Sequence, residues 1–196
     1  MSEDPLLEAD DAATPLTADE KRGLIPSYIT LRRELNEAEQ VNVTAAEQAA
    51  FARKRNVLDE RYLRAPHGSM FGDVWTWAGE FRKTERNIGV PPWCIAIDLR
   101  ELLDNARHWI DHNTYPADEI AARFHHKLVW IHCFPNGNGR HARLATDLLL
   151  VNIGRPRFTW GRQGLINSGE TRQRYVEALR AADNHDIGPL LEFVRS

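Results

Sequence analysis

Residues 132–143 read His-Cys-Phe-Pro-Asn-Gly-Asn-Gly-Arg-His-Ala-Arg. The imidazole of His132 titrates near neutrality in water, so it can take a proton from an attacking hydroxyl. Gly137 and Gly139, on either side of Asn138, permit positive φ and turn successive amide N–H groups into one concavity, which binds anions. A helix is predicted to follow Gly139. Its N-terminal partial charge and free N–H groups add to the cradle, and Arg140 and Arg143, three residues apart, lie on neighbouring parts of its first turn. A di- or triphosphate matches that arrangement. Taken alone, His132 reads more readily as a structural histidine at a helix end; the glycines and arginines behind it reverse that and favour chemistry. Phe134 reads as the anchor of the loop in the core, and Cys133 as a small buried residue.

Two helices must hold this loop. One runs from Tyr115-Pro116 to about His132 with Ile120, Phe124, Leu128 and Ile131 as its buried stripe. The next carries Ala142, Ala145, Leu148 and Leu149 and ends near Gly154 and Pro156. A further helix is expected over Asp98–His112, with Asp98 as N-cap, Glu101 in capping-box position, and Leu99, Leu102, Leu103, Ala106, Trp109 and Ile110 on one face. Towards the N-terminus one helical pattern runs from Pro26 to Ala38, and a second starts at Thr44, which has capping-box spacing to Glu47. Residues Phe81–Ile97 carry Asn87, Gly89, Pro91 and Pro92 between short stretches that read as a ragged β-hairpin at an edge. Helical spacing returns with Tyr175, Leu179 and Ala182, then Leu190, Leu191, Phe193 and Val194. The class is all-α with a hairpin, and no internal repeat is visible.

At 196 residues, with 42% hydrophobic and 27% charged residues, the chain suits one soluble domain with a modest extension. Its apolar runs are too short to cross a bilayer as helices, and its N-terminus lacks the basic-then-apolar pattern of a signal peptide. Two cysteines, Cys94 and Cys133, give no disulfide framework, so a cytoplasmic location is the default expectation. Residues 1–23 carry a net charge of −5, which leaves +2 on the rest, and within this acidic tail residues 1–20 read as mostly disordered. Between 139 and 175 lie Arg140, Arg143, Arg155, Arg157, Arg162, Arg172 and Arg174 against only Asp147 and Glu170, a stretch able to face a polyanion or simply solvent. No basic helix-turn-helix pattern appears, so direct nucleic-acid binding is not expected.

The 132–143 segment resembles the signature of the Fic (Fido) family, HxFx(D/E)GNGRxxR, at every fixed position except the acid, which here is Asn136. The resemblance extends from roughly Leu58 to the C-terminus, and Trp77-Ala78-Gly79-Glu80-Phe81-Arg82 looks like the lead into the family's flap. The pattern looks most like the bacterial subgroup called mobile mystery protein B, often carried beside a DNA-binding partner protein. The resemblance implies a Fic-type helical bundle with a β-hairpin flap, organised as a tail over 1–22, N-terminal helices over 23–56 and a Fic domain over 57–196.

The same resemblance implies transfer of AMP from ATP to a Ser, Thr or Tyr hydroxyl of a target protein. His132 would be the general base, and Gly137, Asn138 and Gly139 the anion hole. Arg140 and Arg143 would neutralise phosphates, and Asn136 would stand at the magnesium position without a carboxylate's charge. Ile88, Gly89, Val90 and Pro91 would cover the nucleotide and dock an extended segment of the target by strand addition. Tyr175 would line the base pocket. Thr30-Leu31-Arg32-Arg33-Glu34 partly fits the family's inhibitory (S/T)xxxE(G/N), with Glu34 expected to compete with triphosphate for Arg143.

Other uses of the loop stay open: nucleotide binding without transfer, removal of AMP from a modified protein, or transfer of another phosphate-containing group. A different class, a metal site built on His125, His126, His132 and His141, has seven-residue spacing between its first and third members but no acid in ligand spacing.

Overall fold

The computed structural model describes residues 16–53, 55–161 and 168–196. Among the described residues eight α-helices run in order: α1 Ala18–Lys21, α2 Arg32–Phe51, α3 Glu60–Phe71, α4 Ile95–Asp111, α5 Ala117–Ile131, α6 Asn138–Asn152, α7 Ser168–Asp183 and α8 Gly188–Arg195. No strand forms among the described residues; the single antiparallel bridge joins Leu24 to Trp75.

Helices α5 and α6 pack against each other, α4 lies on α5, and α3 lies on α6. The stripes read from periodicity are the buried ones: Leu99, Leu102, Leu103 and Ala106 on α4, Ile120, Phe124, Leu128 and Ile131 on α5, and Ala142, Ala145, Leu148 and Leu149 on α6. A second, smaller core gathers Leu190, Phe193 and Val194 of α8 with Ala178 and Ala182 of α7, Ala121 and Ala122 of α5, and Phe158 and Trp160. The α5–loop–α6 hairpin is therefore held from both sides. No described helix is long and apolar enough to cross a membrane.

Four expectations are corrected. First, Thr44 starts no helix. It lies inside α2, where its hydroxyl donates to the Gln40 carbonyl (2.9 Å), and the buried series Leu35, Glu39, Val43 and Ala46 carries the helix through. Burial of that stripe outweighs a local capping signal. Second, α4 starts at Ile95 rather than after Asp98, because a 3₁₀ turn over Pro92–Cys94 leads into it. Proline's fixed φ favours helix entry, and Asp98 instead faces the helix dipole from the first turn.

Third, part of the acidic tail is ordered. Thr17 and Glu20 form a capping box on α1, and Glu20 pairs with Arg86, both side chains being nearly buried. Residues 1–15 lie outside the described residues. Fourth, the flap expected over Phe81–Ile97 is not a β-hairpin. Its bends follow from Pro91 and Pro92, which lack N–H donors, and from a guanidinium that takes the Thr84 and Val90 carbonyls a ladder would need.

Candidate active site

His132 is the C-cap of α5 and adopts left-handed backbone geometry (φ 56°, ψ 61°). A non-glycine residue there costs roughly 1–2 kcal/mol and persists where surrounding contacts over-determine it. Burial first, and then the positive charges of Arg82 and Arg86, lower the pKa of the imidazole to about 4, against a smaller opposing contribution from a hydrogen bond to the Val129 backbone. The ring is thus neutral at pH 7, the state a proton acceptor requires.

Beyond His132 the chain dives into the core. Cys133 is buried and its thiol is pushed up to about 12 by desolvation, so it is no nucleophile. Phe134 stacks on the imidazole of His67 with ring centroids 3.7 Å apart. Asn138 closes the loop from inside: its Oδ1 accepts from Phe134 N (2.9 Å) and its Nδ2 donates to Phe134 O (2.8 Å). Gly137 caps α6 with φ 75°, and a Cβ there would meet the Phe71 ring at 2.5 Å. Only glycine satisfies both conditions. An α-helix leaves its first N–H groups without intrahelical acceptors, so α6 presents its donors at this point.

The loop is also gripped from α3. Gly79 N donates to His67 Nδ1 (2.9 Å), which puts the ring proton on Nε2, and Nε2 donates to the Asn136 carbonyl (3.0 Å). His67 is fully buried, and desolvation holds its pKa well below the usual range.

The two arginines diverge. Arg143 has Nη1 4.0 Å from the space a Gly139 Cβ would fill, beside the start of α6, and its guanidinium lies over the Tyr175 ring (5.6 Å to the centroid). It also hydrogen-bonds the Tyr175 hydroxyl, which in turn is hydrogen-bonded to His125 Nε2 (2.8 Å). Tyr175 therefore holds Arg143. Arg140 lies over the Phe71 ring (4.6 Å) and donates from Nη1 to Glu39 Oε2 (2.7 Å).

Glu34, expected to engage Arg143, does not. It is half-buried at the start of α2, where its Oε2 accepts from the Thr30 and Leu31 backbone N–H groups (3.0 and 3.1 Å). The carboxylate that reaches the loop belongs to Glu39, 5% exposed, whose Oε1 accepts from Trp75 Nε1 (2.7 Å). A glutamate at the buried spacing of Leu35 and Val43 was a signal legible in the sequence. His67 and Arg82 carried none as strong. Of the flap residues, Val90 is buried and its N–H donates to the Ile131 carbonyl (3.3 Å), while Ile88, Gly89 and Pro91 are exposed.

The donor set fits magnesium poorly. Asn136 offers an amide oxygen without charge, and that oxygen already accepts from Gly137 N (2.6 Å). Among the described residues no group of three or more His, Cys, Asp or Glu side chains is placed to hold a metal ion. The histidines of the metallohydrolase reading are engaged separately: His125 with Tyr175, His126 with Asp183, and His141 with the Leu63 carbonyl.

A neutral histidine thus stands at the lip of a glycine loop, in front of a helix N-terminus carrying two arginines, on a helical scaffold, an arrangement chemically suited to a phosphate group. Residues 57–150 match the Fic/DOC family model, and this segment is a Fic/DOC domain. The chain is 36% identical over 121 residues to the protein adenylyltransferase Fic of Drosophila grimshawi, a match covering 59% of this chain and 23% of the relative. It is 34% identical over 124 residues to protein adenylyltransferase fic-1 of Caenorhabditis elegans, covering 60% and 22%. The matched region thus spans under a quarter of the length of either relative. In fold the chain is similar to the BepC protein of Bartonella tribocorum, solved with bound AMPPNP, at a TM-score of 0.71 and 18% identity over 91% of this chain and 97% of that one. Fic-1 of Caenorhabditis elegans superposes with a TM-score of 0.64 at 23% identity, covering 89% and 51%.

Proposed function

We propose that the chain is a protein adenylyltransferase, moving AMP from ATP to a Ser, Thr or Tyr hydroxyl of a target protein. The observation that carries this reading is the pairing of a neutral, buried His132 with the donor-rich start of α6. The hydroxyl oxygen attacks the α-phosphorus, the bond from that phosphorus to the α,β-bridging oxygen breaks, and pyrophosphate leaves. His132 accepts the hydroxyl proton. The N–H groups of Gly139 and Arg140 and the guanidinium of Arg143 meet the phosphate charge with fixed donors. An extended target segment docks along the exposed edge at Ile88, Gly89 and Pro91. No step is assigned to a metal.

Glu39 would act as a competitor for Arg140 and so temper nucleotide binding. The role first expected of Glu34 passes to it on the strength of the 2.7 Å contact. Tyr175 serves here as the support of Arg143.

The test is incubation with α-labelled ATP and candidate acceptor proteins, followed by mass spectrometry of the product. An added AMP that disappears in His132→Ala supports the reading. Tight nucleotide binding without His132-dependent transfer overturns it in favour of a regulatory nucleotide-binding protein. The missing carboxylate at Asn136 also favours examining other donors, and the added mass names the group transferred.

A further inference from the structure

Arg82 is 3% exposed, yet its guanidinium meets backbone carbonyls. Nε donates to His132 O (2.6 Å), Nη1 to Thr84 O (3.0 Å), and Nη2 to Val90 O and more distantly Ile131 O (3.4 Å). Its own backbone N–H donates to Cys133 O (2.9 Å). One side chain therefore binds the residue before the candidate base, the base itself, and both limbs of the flap, while its backbone holds the residue after. Planar guanidinium with five donors is the group able to serve so many acceptors at once; an ammonium cannot.

The flap meets the same junction at Gly89. Its φ is 90°, and a Cβ there would meet His132 Cβ at 2.5 Å, Arg82 Nη2 at 2.9 Å and Ile131 O at 3.1 Å. Flap, guanidinium and base thus share one close-packed junction. Buried positive charge beside an imidazole also disfavours a second positive charge on it.

From this geometry we infer that Arg82 is a positioning residue for the transfer reaction: it locks His132 in its left-handed turn and ties the flap to the base, so that the target segment and the proton acceptor are set by one side chain. The inference rests on the transferase reading proposed above. His132 is faced by Arg82 and Arg86 as charged groups and by the Val129 backbone, and Arg86 is itself paired with Glu20. Removing Arg82 thus leaves one cation near the ring.

The test compares the native chain with Arg82→Gln, Arg82→Lys and Gly89→Ala by single-turnover transfer, ATP affinity and NMR titration of the His132 ring. Arg82→Gln should raise the His132 pKa towards its ordinary 6.5, move the acid limb of the pH profile up with it, and lower kcat by about 100-fold while ATP affinity holds. Arg82→Lys should keep the depressed pKa yet lose most of the rate. Gly89→Ala, which keeps Arg82, should cut the rate through the same junction and serves if Arg82→Gln does not fold. A His132 pKa unmoved in folded Arg82→Gln, or a native rate in Arg82→Lys or Gly89→Ala, overturns the inference. Absence of transfer in the native chain overturns the transferase reading instead, and the ring titration still decides whether Arg82 sets the state of His132.

Discussion

Glu39 and Arg140 form an ion pair at 2.7 Å that joins α2 to the first turn of α6. The glutamate is nearly buried, and its other oxygen is held by Trp75, so the pair is fixed from both ends. One of the two arginines of the loop motif is therefore already engaged by a carboxylate of the same chain.

Glu39→Gln keeps an acceptor for Trp75 and removes the charge from Arg140. Nucleotide affinity should then rise about tenfold, the equivalent of the roughly 1.5 kcal/mol that a charge-assisted hydrogen bond contributes. Calorimetric titration with ATP measures it, and an unchanged Kd would mean that the pair and the nucleotide do not compete. Glu34→Gly should leave ATP affinity alone and lower Tm slightly, since it removes the carboxylate that caps the Thr30 and Leu31 N–H groups.

Asn136→Asp supplies the carboxylate that the loop lacks. Magnesium should then bind the ATP complex more tightly and the transfer rate should become more dependent on the metal. Titrating magnesium at saturating ATP reads this directly, and a curve identical to that of the native chain would count against Asn136 as a metal position.

His125, His132 and His141 are buried, with pKa values lowered to about 3, 4 and 4 by desolvation first in each case. Unfolded, each titrates near 6.5. Between about pH 6.5 and 4 the unfolded chain therefore binds protons that the folded chain does not, and stability falls as pH falls through that window. Each such histidine contributes up to about 1.4 kcal/mol per pH unit to the slope. Urea unfolding at a series of pH values should show a steep loss of midpoint on acidification; a flat profile across the window would contradict the neutral, buried state of these rings.

Gly137→Ala places a methyl group against Phe71 and asks alanine to adopt φ 75°. The loop should be destabilised by about 1–3 kcal/mol and nucleotide affinity should fall with it. Thermal unfolding and ATP titration on the same sample separate the two effects. By contrast, a Cβ at Gly154 meets nothing within 4 Å, so Gly154→Ala should pay only for its positive φ and leave ATP affinity intact.

The residues that line the candidate site were legible without coordinates because they are consecutive. His132, the two glycines and the two arginines fall within twelve positions, and the loop that holds them is bounded by helices whose apolar spacing is unambiguous. Helical periodicity is a local property, so the stripes of α4, α5 and α6 could be read directly. What surrounds the loop was not local. Glu39 meets Arg140 across 101 positions, His67 grips Asn136 across 69, and Arg82 reaches His132 across 50. The glutamate chosen from a short motif, Glu34, turned out to cap its own helix, because a free backbone N–H three residues away is nearer than any distant arginine. The chain order alone determined which groups can do chemistry. Packing of α2, α3 and the flap around the loop decided which of them are charged, which are already paired, and which carbonyls remain for Arg82 to hold, since desolvation and close approach exist only once the helices meet.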